Sequence, residues 1–294
     1  MADRRATTSD DLAALYARHL QECKERGWGS PTVHRERARN LARLRAKGVV
    51  TVSQLLEQLP TLSGGLQFFG VDLVGLCDIH RAWPVLVALL PDRTLRARCA
   101  DVLSRLESRG KATEHFLKIA RRELSSPTPD RFWLEAVILG LGAVNDRRTE
   151  EVLLEIFERT DLPGWIRGDA GDKLGCGRHV RDRRTKLYRR CRAAALQGVH
   201  EDSIDVQFWS MYVIGSLAND YWANQQARSR DFHVAIPKLR RIAKHDHRLA
   251  PGYWWPMSAE AVDTLACLET GQRPNPDAGE RFKYSGQRGE WARD

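Results

Sequence analysis

The sequence predicts an all-α protein, an α-solenoid built from degenerate two-helix repeats. Helical periodicity runs through nearly all of the 294 residues, and no segment alternates with the period of two that a half-buried strand requires. The same order of features also occurs twice along the chain, which favours repeats over a simple bundle. Hydrophobic residues make up 42% and charged residues 29%, as is typical of globular proteins.

Residues 1–60 are expected to form an N-terminal helical cap. Ser30 supplies an N-cap and Pro31 occupies the first helical position, an arrangement typical of helix starts. Pro60 ends the last of these segments. The three helices expected in the cap cover about residues 10–26, 31–47 and 52–59.

Residues 61–93 are expected to form connecting helices between the cap and the repeats. Gly64, Gly65 and Gly70 indicate a loose connection at its start. The repeat solenoid is predicted over 94–270, and a flexible tail rich in proline and glycine over 271–294. Short turns separate the helices expected at 82–90, 94–107, 111–124, 130–143 and 147–160.

Two internal copies define the repeat. Phe132–Ile138 and Phe208–Ile214 share one frame, and an Asn-Asp turn follows each of them. A second helix, a Pro-Gly-aromatic step and a helix with an Ala-x-x-x-Leu pair then follow in the same order in both copies. Repeats of about 40 residues built from two helices are typical of HEAT or armadillo units.

The repeat residues also resemble a known family. Val206–Leu217 resembles the first helix of bacterial HEAT-repeat proteins of the phycobilisome-lyase type, and Ala235–Leu239 is similar to the start of their second helix. Ile166–Ala170 and Gly252–Trp255 match common variants of the repeat. The resemblance covers about residues 94–270 and implies the architecture. It implies no single activity, because the family includes chromophore lyases, scaffolds and DNA glycosylases.

The most basic segment lies between Gly177 and Arg192, where Asp182 is the single acid. Two interpretations remain open: a solvated helix face paired with acids of neighbouring repeats, or a surface that binds phosphates or an acidic protein. A basic helix over 35–47 has the same two interpretations. The candidate partner-binding residues are Arg178, Arg181, Arg183, Arg184, Lys186, Arg189, Arg190, Trp254 and Trp255.

The tryptophans allow similar alternatives. Trp133 and Trp209 occupy equivalent repeat positions and are expected to pack between helices. Trp254 and Trp255 follow a Pro-Gly turn, where they could stack on a base or anchor a peptide, or simply pack between repeats.

Metal and cofactor sites are not expected. Cys176, His179, Cys191 and His200 lack the spacing of a zinc site, and the dispersed cysteines fit reduced core positions in a cytoplasmic protein. No phosphate-binding loop, nucleophile elbow or His-Glu-x-x-His motif occurs. The charged N-terminus lacks the apolar run of a secretory signal, and no stretch of about 18 apolar residues is present to span a membrane.

The sequence therefore favours a non-catalytic scaffold or adaptor that binds another protein. The formal net charge of +9 favours an acidic partner, and no small-molecule substrate is indicated. The alternative is a nucleic-acid-binding HEAT-like protein, including a DNA glycosylase-like enzyme. Asp169, Asp172 and Asp263 are the candidate catalytic carboxylates for that alternative.

Overall fold

The structure, a computed structural model, describes residues 12–21, 52–76, 82–106, 109–142, 146–218, 230–249 and 256–271. Within these ranges the regular structure is helical, apart from one isolated antiparallel bridge between Leu249 and Pro256. The prediction of an all-α protein is confirmed. None of the described helices is long and apolar enough to cross a membrane.

The described residues form two compact units, one ending at Ala112 and the other beginning at Thr113. This boundary lies inside the range 94–270 that the sequence assigns to the repeats. The first unit contains α1 (residues 12–21), α2 (Val52–Gln58), a 3₁₀ turn (Leu59–Thr61), α3 (Gly64–Leu76), α4 (Ala82–Leu89) and α5 (Arg96–Arg105).

The predicted loose connection at Gly64–Gly70 is wrong, since these glycines belong to α3. Gly64 starts the helix with φ +55°, a backbone conformation that favours glycine. A methyl group at Gly70 would lie 2.7 Å from Leu59 Cδ1, and one at Gly65 would overlap the Tyr16 hydroxyl. These glycines therefore permit close packing rather than a break in the helix.

The second unit contains the predicted repeat segments. Its helices are α6 (Arg109–Leu124, which includes the boundary), α7 (Arg131–Gly142), α8 (Arg147–Glu158), α9 (Gly164–Gly175), α10 (Lys186–Gly198), α11 (Ile204–Ala218), α12 (Ile236–His245) and α13 (Met257–Thr270). Two 3₁₀ turns, His179–Arg181 and His233–Ala235, precede α10 and α12.

Alternate helices of this unit contact one another. α9 contacts both α7 and α11, and α11 contacts α13, so these four helices form one row. α8, α10 and α12 form a second set of helices, in which α8 contacts α10. Each of them also contacts the next helix of the row: α8 contacts α9, α10 contacts α11, and α12 contacts α13. A two-layer packing of helices results.

Glycines allow neighbouring helices of this unit to approach closely. Trp209 of α11 packs against Gly168 and Gly171 of α9, and its side chain is nearly buried, as expected for packing between helices. Gly140 of α7 lies beneath the ring of Phe116, where a methyl group would be only 2.4 Å from the ring. Trp133 is half-buried under the guanidinium of Arg122, 5.3 Å from its ring centre.

Candidate interaction surface

The basic segment begins in a turn that a buried carboxylate holds in place. Glu150 of α8 is 2% exposed and accepts hydrogen bonds from the backbone N–H groups of Arg178 (2.9 Å), His179 (3.0 Å) and Val180 (2.6 Å). A methyl group at Gly177 would lie 2.9 Å from the same carboxyl group, so a larger residue there would push against that group. The side chains around this turn are therefore presented from a fixed backbone.

Local sequence also sets the start of α10. The Thr185 side chain caps the helix by accepting a hydrogen bond from the backbone N–H of Tyr188 at 3.0 Å. Leu187, Tyr188 and Cys191 are buried and form the core-facing side of this helix. The cations of the helix lie at other positions and are Lys186, Arg189, Arg190 and Arg192.

Asp231, just before α12, binds several groups of the basic segment. Its carboxylate accepts hydrogen bonds from Arg183 (2.6 Å) and from the Tyr188 hydroxyl (2.7 Å), and Arg192 lies 3.9 Å away. Burial would lower the pKa of Arg183, but the hydrogen bond to Asp231, the negative charge of Asp231 and a smaller contribution from Tyr188 together raise it. These contacts place the segment preceding α12 beside the start of α10.

Other arginines of the segment are also engaged within the protein. Arg190 pairs with Glu158 of α8, and this hydrogen bond raises the pKa of the guanidinium. Arg181 donates to the carbonyl oxygen of Gly175 at 2.8 Å. Arg184 pairs with Asp182 at 3.1 Å, and this hydrogen bond lowers the pKa of Asp182.

Three of the predicted binding residues remain available to a partner. Arg178, Lys186 and Arg189 are exposed, and no acidic partner is found for them among the residues that the structure describes. Trp254, Trp255 and the basic helix expected over 35–47 lie outside the described residues.

Sequence reasoning missed a second group of cations on α12. This helix carries Lys238, Arg240, Arg241 and Lys244 and no aspartate or glutamate. Leu239 and Ile242 are buried on its opposite face. The four cations have no acidic partner within the described ranges. The absence of acids from the ten-residue helix was the signal that could have identified it.

The candidate carboxylates differ in their surroundings. Asp172 forms an ion pair with Lys173 at 2.7 Å, Asp169 is half-buried and Asp263 is buried. Asp205, which the sequence did not single out, packs beside Gly168 and Trp209 at the start of α11. Burial raises the pKa of this carboxyl group.

No cluster of three potential metal ligands occurs in the described part of the chain. Cys191 is buried, and burial raises the pKa of its thiol to about 12. Cys176 is exposed, and its sulfur lies 3.5 Å from the Tyr212 hydroxyl. Comparisons of the chain with protein-family models, with curated proteins and with solved structures find no match.

Proposed function

We propose that this protein is a non-catalytic scaffold that binds an acidic protein through exposed cations of α10, of α12 and of the turn before α10. We define the cationic surface of this proposal as Arg178, Lys186, Arg189, Arg240 and Lys244, all of which are exposed. The observation that carries the proposal is α12, which presents cations without any acid on the same helix. Uncompensated charge of one sign favours association with the opposite sign.

The helix packing supports a HEAT-like solenoid in the second unit. Each helix of the row α7, α9, α11 and α13 contacts the next one. The intervening helices α8, α10 and α12 contact this row from a second layer. Stacked two-helix repeats produce this pattern, because each pair buries its apolar faces against its neighbours. A scaffold of this kind offers an extended surface on rigid helices.

The charge pattern favours a protein over a nucleic acid. Glu155 is exposed on α8, and both Glu155 and Glu158 contribute to the raised pKa of Arg190 on the adjacent helix. A phosphate backbone that followed the surface from α10 to α8 would be repelled by these carboxylates. A protein surface can present both signs of charge and match them.

The test compares charge reversal at two places in the same unit. One variant carries Lys186→Glu and Arg189→Glu with Arg240→Glu and Lys244→Glu. The control carries Lys118→Glu and Arg121→Glu, two exposed cations of α6 that lie outside the cationic surface. Purified protein, each variant and the control are used to capture partners from native lysate, with and without nuclease.

We expect a protein partner that survives nuclease, is retained by the control and is lost by the four-residue variant. Exposed substitutions usually change the unfolding free energy by about 0.5 kcal/mol or less, so the far-ultraviolet circular dichroism should stay unchanged. Loss of all captured material on nuclease treatment would instead indicate the nucleic-acid-binding alternative. Equal capture by the variant and the control would refute the role of this surface.

A further inference from the structure

A polar pocket of about 430 Å³ lies between the turn that joins α10 to α11 and the end of α12. Asp202 lines it on the side of the turn, and Lys238, Arg241 and His245 line it on the side of α12. Ile242 contributes apolar surface, and His247 follows the helix.

Two of the three carboxylates in the pocket are already neutralised. Arg167 donates to both oxygens of Glu201, at 2.5 and 2.7 Å. Arg248 donates to both oxygens of Asp246, at 2.9 and 2.7 Å, and these hydrogen bonds lower the pKa of that carboxyl group. Neither carboxylate therefore balances the charge of another cation in the pocket.

Lys238 and Arg241 supply the uncompensated charge. They are three residues apart on α12, so they lie one helical turn from each other on the same face. No acidic partner is found for either side chain in the part of the chain that the structure describes. Asp202 is the one lining carboxylate without an arginine partner there, and it is exposed.

The turn opposite these cations is firmly held. The Gln207 side chain donates to the carbonyl oxygen of Val199 at 2.8 Å and to that of Glu201 at 3.4 Å. Arg167 is buried and also donates to the carbonyl oxygen of Phe157 at 3.0 Å, which fixes the guanidinium that holds Glu201. A preorganised wall lowers the entropic cost of binding a ligand.

We propose that this pocket binds a phosphoryl group, the dianion of a phosphate monoester. A phosphoryl group presents three acceptor oxygens and nearly two negative charges, which match one lysine and one arginine. The arginine offers a planar fork of N–H donors and the lysine three further donors. A carboxylate would satisfy only one of the two charges. The proposal concerns Lys238 and Arg241 and does not depend on the cationic surface defined above.

Two double variants provide a matched test. Lys238→Gln with Arg241→Gln removes the two pocket charges of α12, whereas Lys118→Gln with Arg121→Gln removes two exposed charges of α6 that belong neither to the pocket nor to the cationic surface. Inorganic phosphate, a phosphoserine peptide and its unphosphorylated form are titrated by calorimetry in phosphate-free buffer. We expect the pocket variant to bind the phosphorylated ligands at least about tenfold more weakly, because charge-assisted hydrogen bonds are lost. The α6 variant should bind them as the unmodified protein does.

Asp202→Asn gives an independent test, in which phosphate binding should become stronger rather than weaker. Removing the remaining negative charge should strengthen phosphate binding by about threefold or more, since like charges repel across a short distance. Tighter binding of the phosphoserine peptide than of phosphate would identify a modified protein as the source of the phosphoryl group. Equal affinities would identify a free phosphate ester. Either result supports the pocket.

Failure of the unmodified protein to bind either phosphorylated ligand would overturn the proposal. Equal losses in the two double variants would also overturn it, because they would show a general effect of net charge. Neither result bears on the scaffold function, which is tested by capture of a protein partner through Lys186, Arg189, Arg240 and Lys244.

Discussion

Replacement of Glu150 by glutamine tests how the basic segment is held in place. The carboxylate of this α8 residue is the common acceptor for the backbone N–H groups of Arg178, His179 and Val180. Glutamine has nearly the same shape but keeps one carbonyl oxygen and gains an NH₂ group. That NH₂ group would face backbone donors, so at least one of them loses its acceptor.

The expected loss follows from the burial of this contact. Hydrogen bonds to a charged group contribute about 1.5–3 kcal/mol each, and a buried donor left without an acceptor costs about 1–3 kcal/mol. Glu150 is 2% exposed, so water cannot replace the missing acceptor. We expect Glu150→Gln to lower the free energy of unfolding of the second unit by about 3 kcal/mol. For a unit of this size the corresponding decrease in Tm is about 6–12 °C.

The neighbouring Glu151 supplies the control. It lies on the same helix and pairs with Arg147 at 2.9 Å, but the two side chains are 44% and 62% exposed. Exposed pairs of this spacing contribute about 0.5 kcal/mol or less, so Glu151→Gln should leave stability almost unchanged. Urea unfolding followed by far-ultraviolet circular dichroism compares the two variants. A loss below about 1 kcal/mol for Glu150→Gln would refute the anchoring role.

Three further predictions concern the core of the second unit. Cys191 should resist alkylation at pH 8 in the folded protein, because burial raises its pKa to about 12. The exposed Cys176 should react, and peptide mass spectrometry distinguishes the two cysteines. Arg167→Ala should cost about 2–3 kcal/mol in urea unfolding, since it leaves a partly buried carboxylate unpaired, and an unchanged midpoint would contradict this. Gly140→Ala should lower the free energy of unfolding by about 1–3 kcal/mol because the new methyl group overlaps Phe116, although alanine is the better helix former. A higher Tm would contradict this and would show that the ring moves aside.

Helix positions could be predicted wherever local chemistry sets them. The helix expected over 147–160 is observed as Arg147–Glu158, and Asp146 caps it by accepting from the backbone N–H of Arg148. The helix expected over 111–124 ends, as predicted, at Leu124. Caps and apolar spacing involve residues within a few positions of each other, so the sequence contains them directly.

Glycines in α3 could not be interpreted in the same way. Their spacing resembles a loop, and the reason for them is a contact with Leu59 and Tyr16, which come from other elements of the first unit. Tertiary packing outweighs the low helix propensity of glycine at these positions. The sequence alone does not show which elements will contact these glycines in the folded unit.

The candidate surface shows the same limit for charges. The sequence identifies a dense basic segment but not its partners, since Glu158 lies 32 positions from Arg190 and Asp231 lies 48 positions from Arg183. The structure engages these arginines internally. Among the described residues, no acidic partner is found for Arg178, Lys186 and Arg189 of the segment or for the cations of α12, although α12 has fewer basic residues than the segment that the sequence singled out.

The order of the helices explains why the excess charge collects on α12. The acids of α8 neutralise cations of α10, as in the pair of Arg190 with Glu158, and Asp231 neutralises Arg183. No acid of α12 itself can balance Lys238, Arg240 or their neighbours, because the helix contains none. Several cations of α10 are therefore compensated by carboxylates from an adjacent helix or turn, whereas the cations of α12 have no acidic partner among the residues that the structure describes. A surface that evolved only for solubility would not require the two flanks of one helix to differ. Here one flank lines a pocket with fixed walls and the other faces outward, so the same excess of charge can serve two separate binding events.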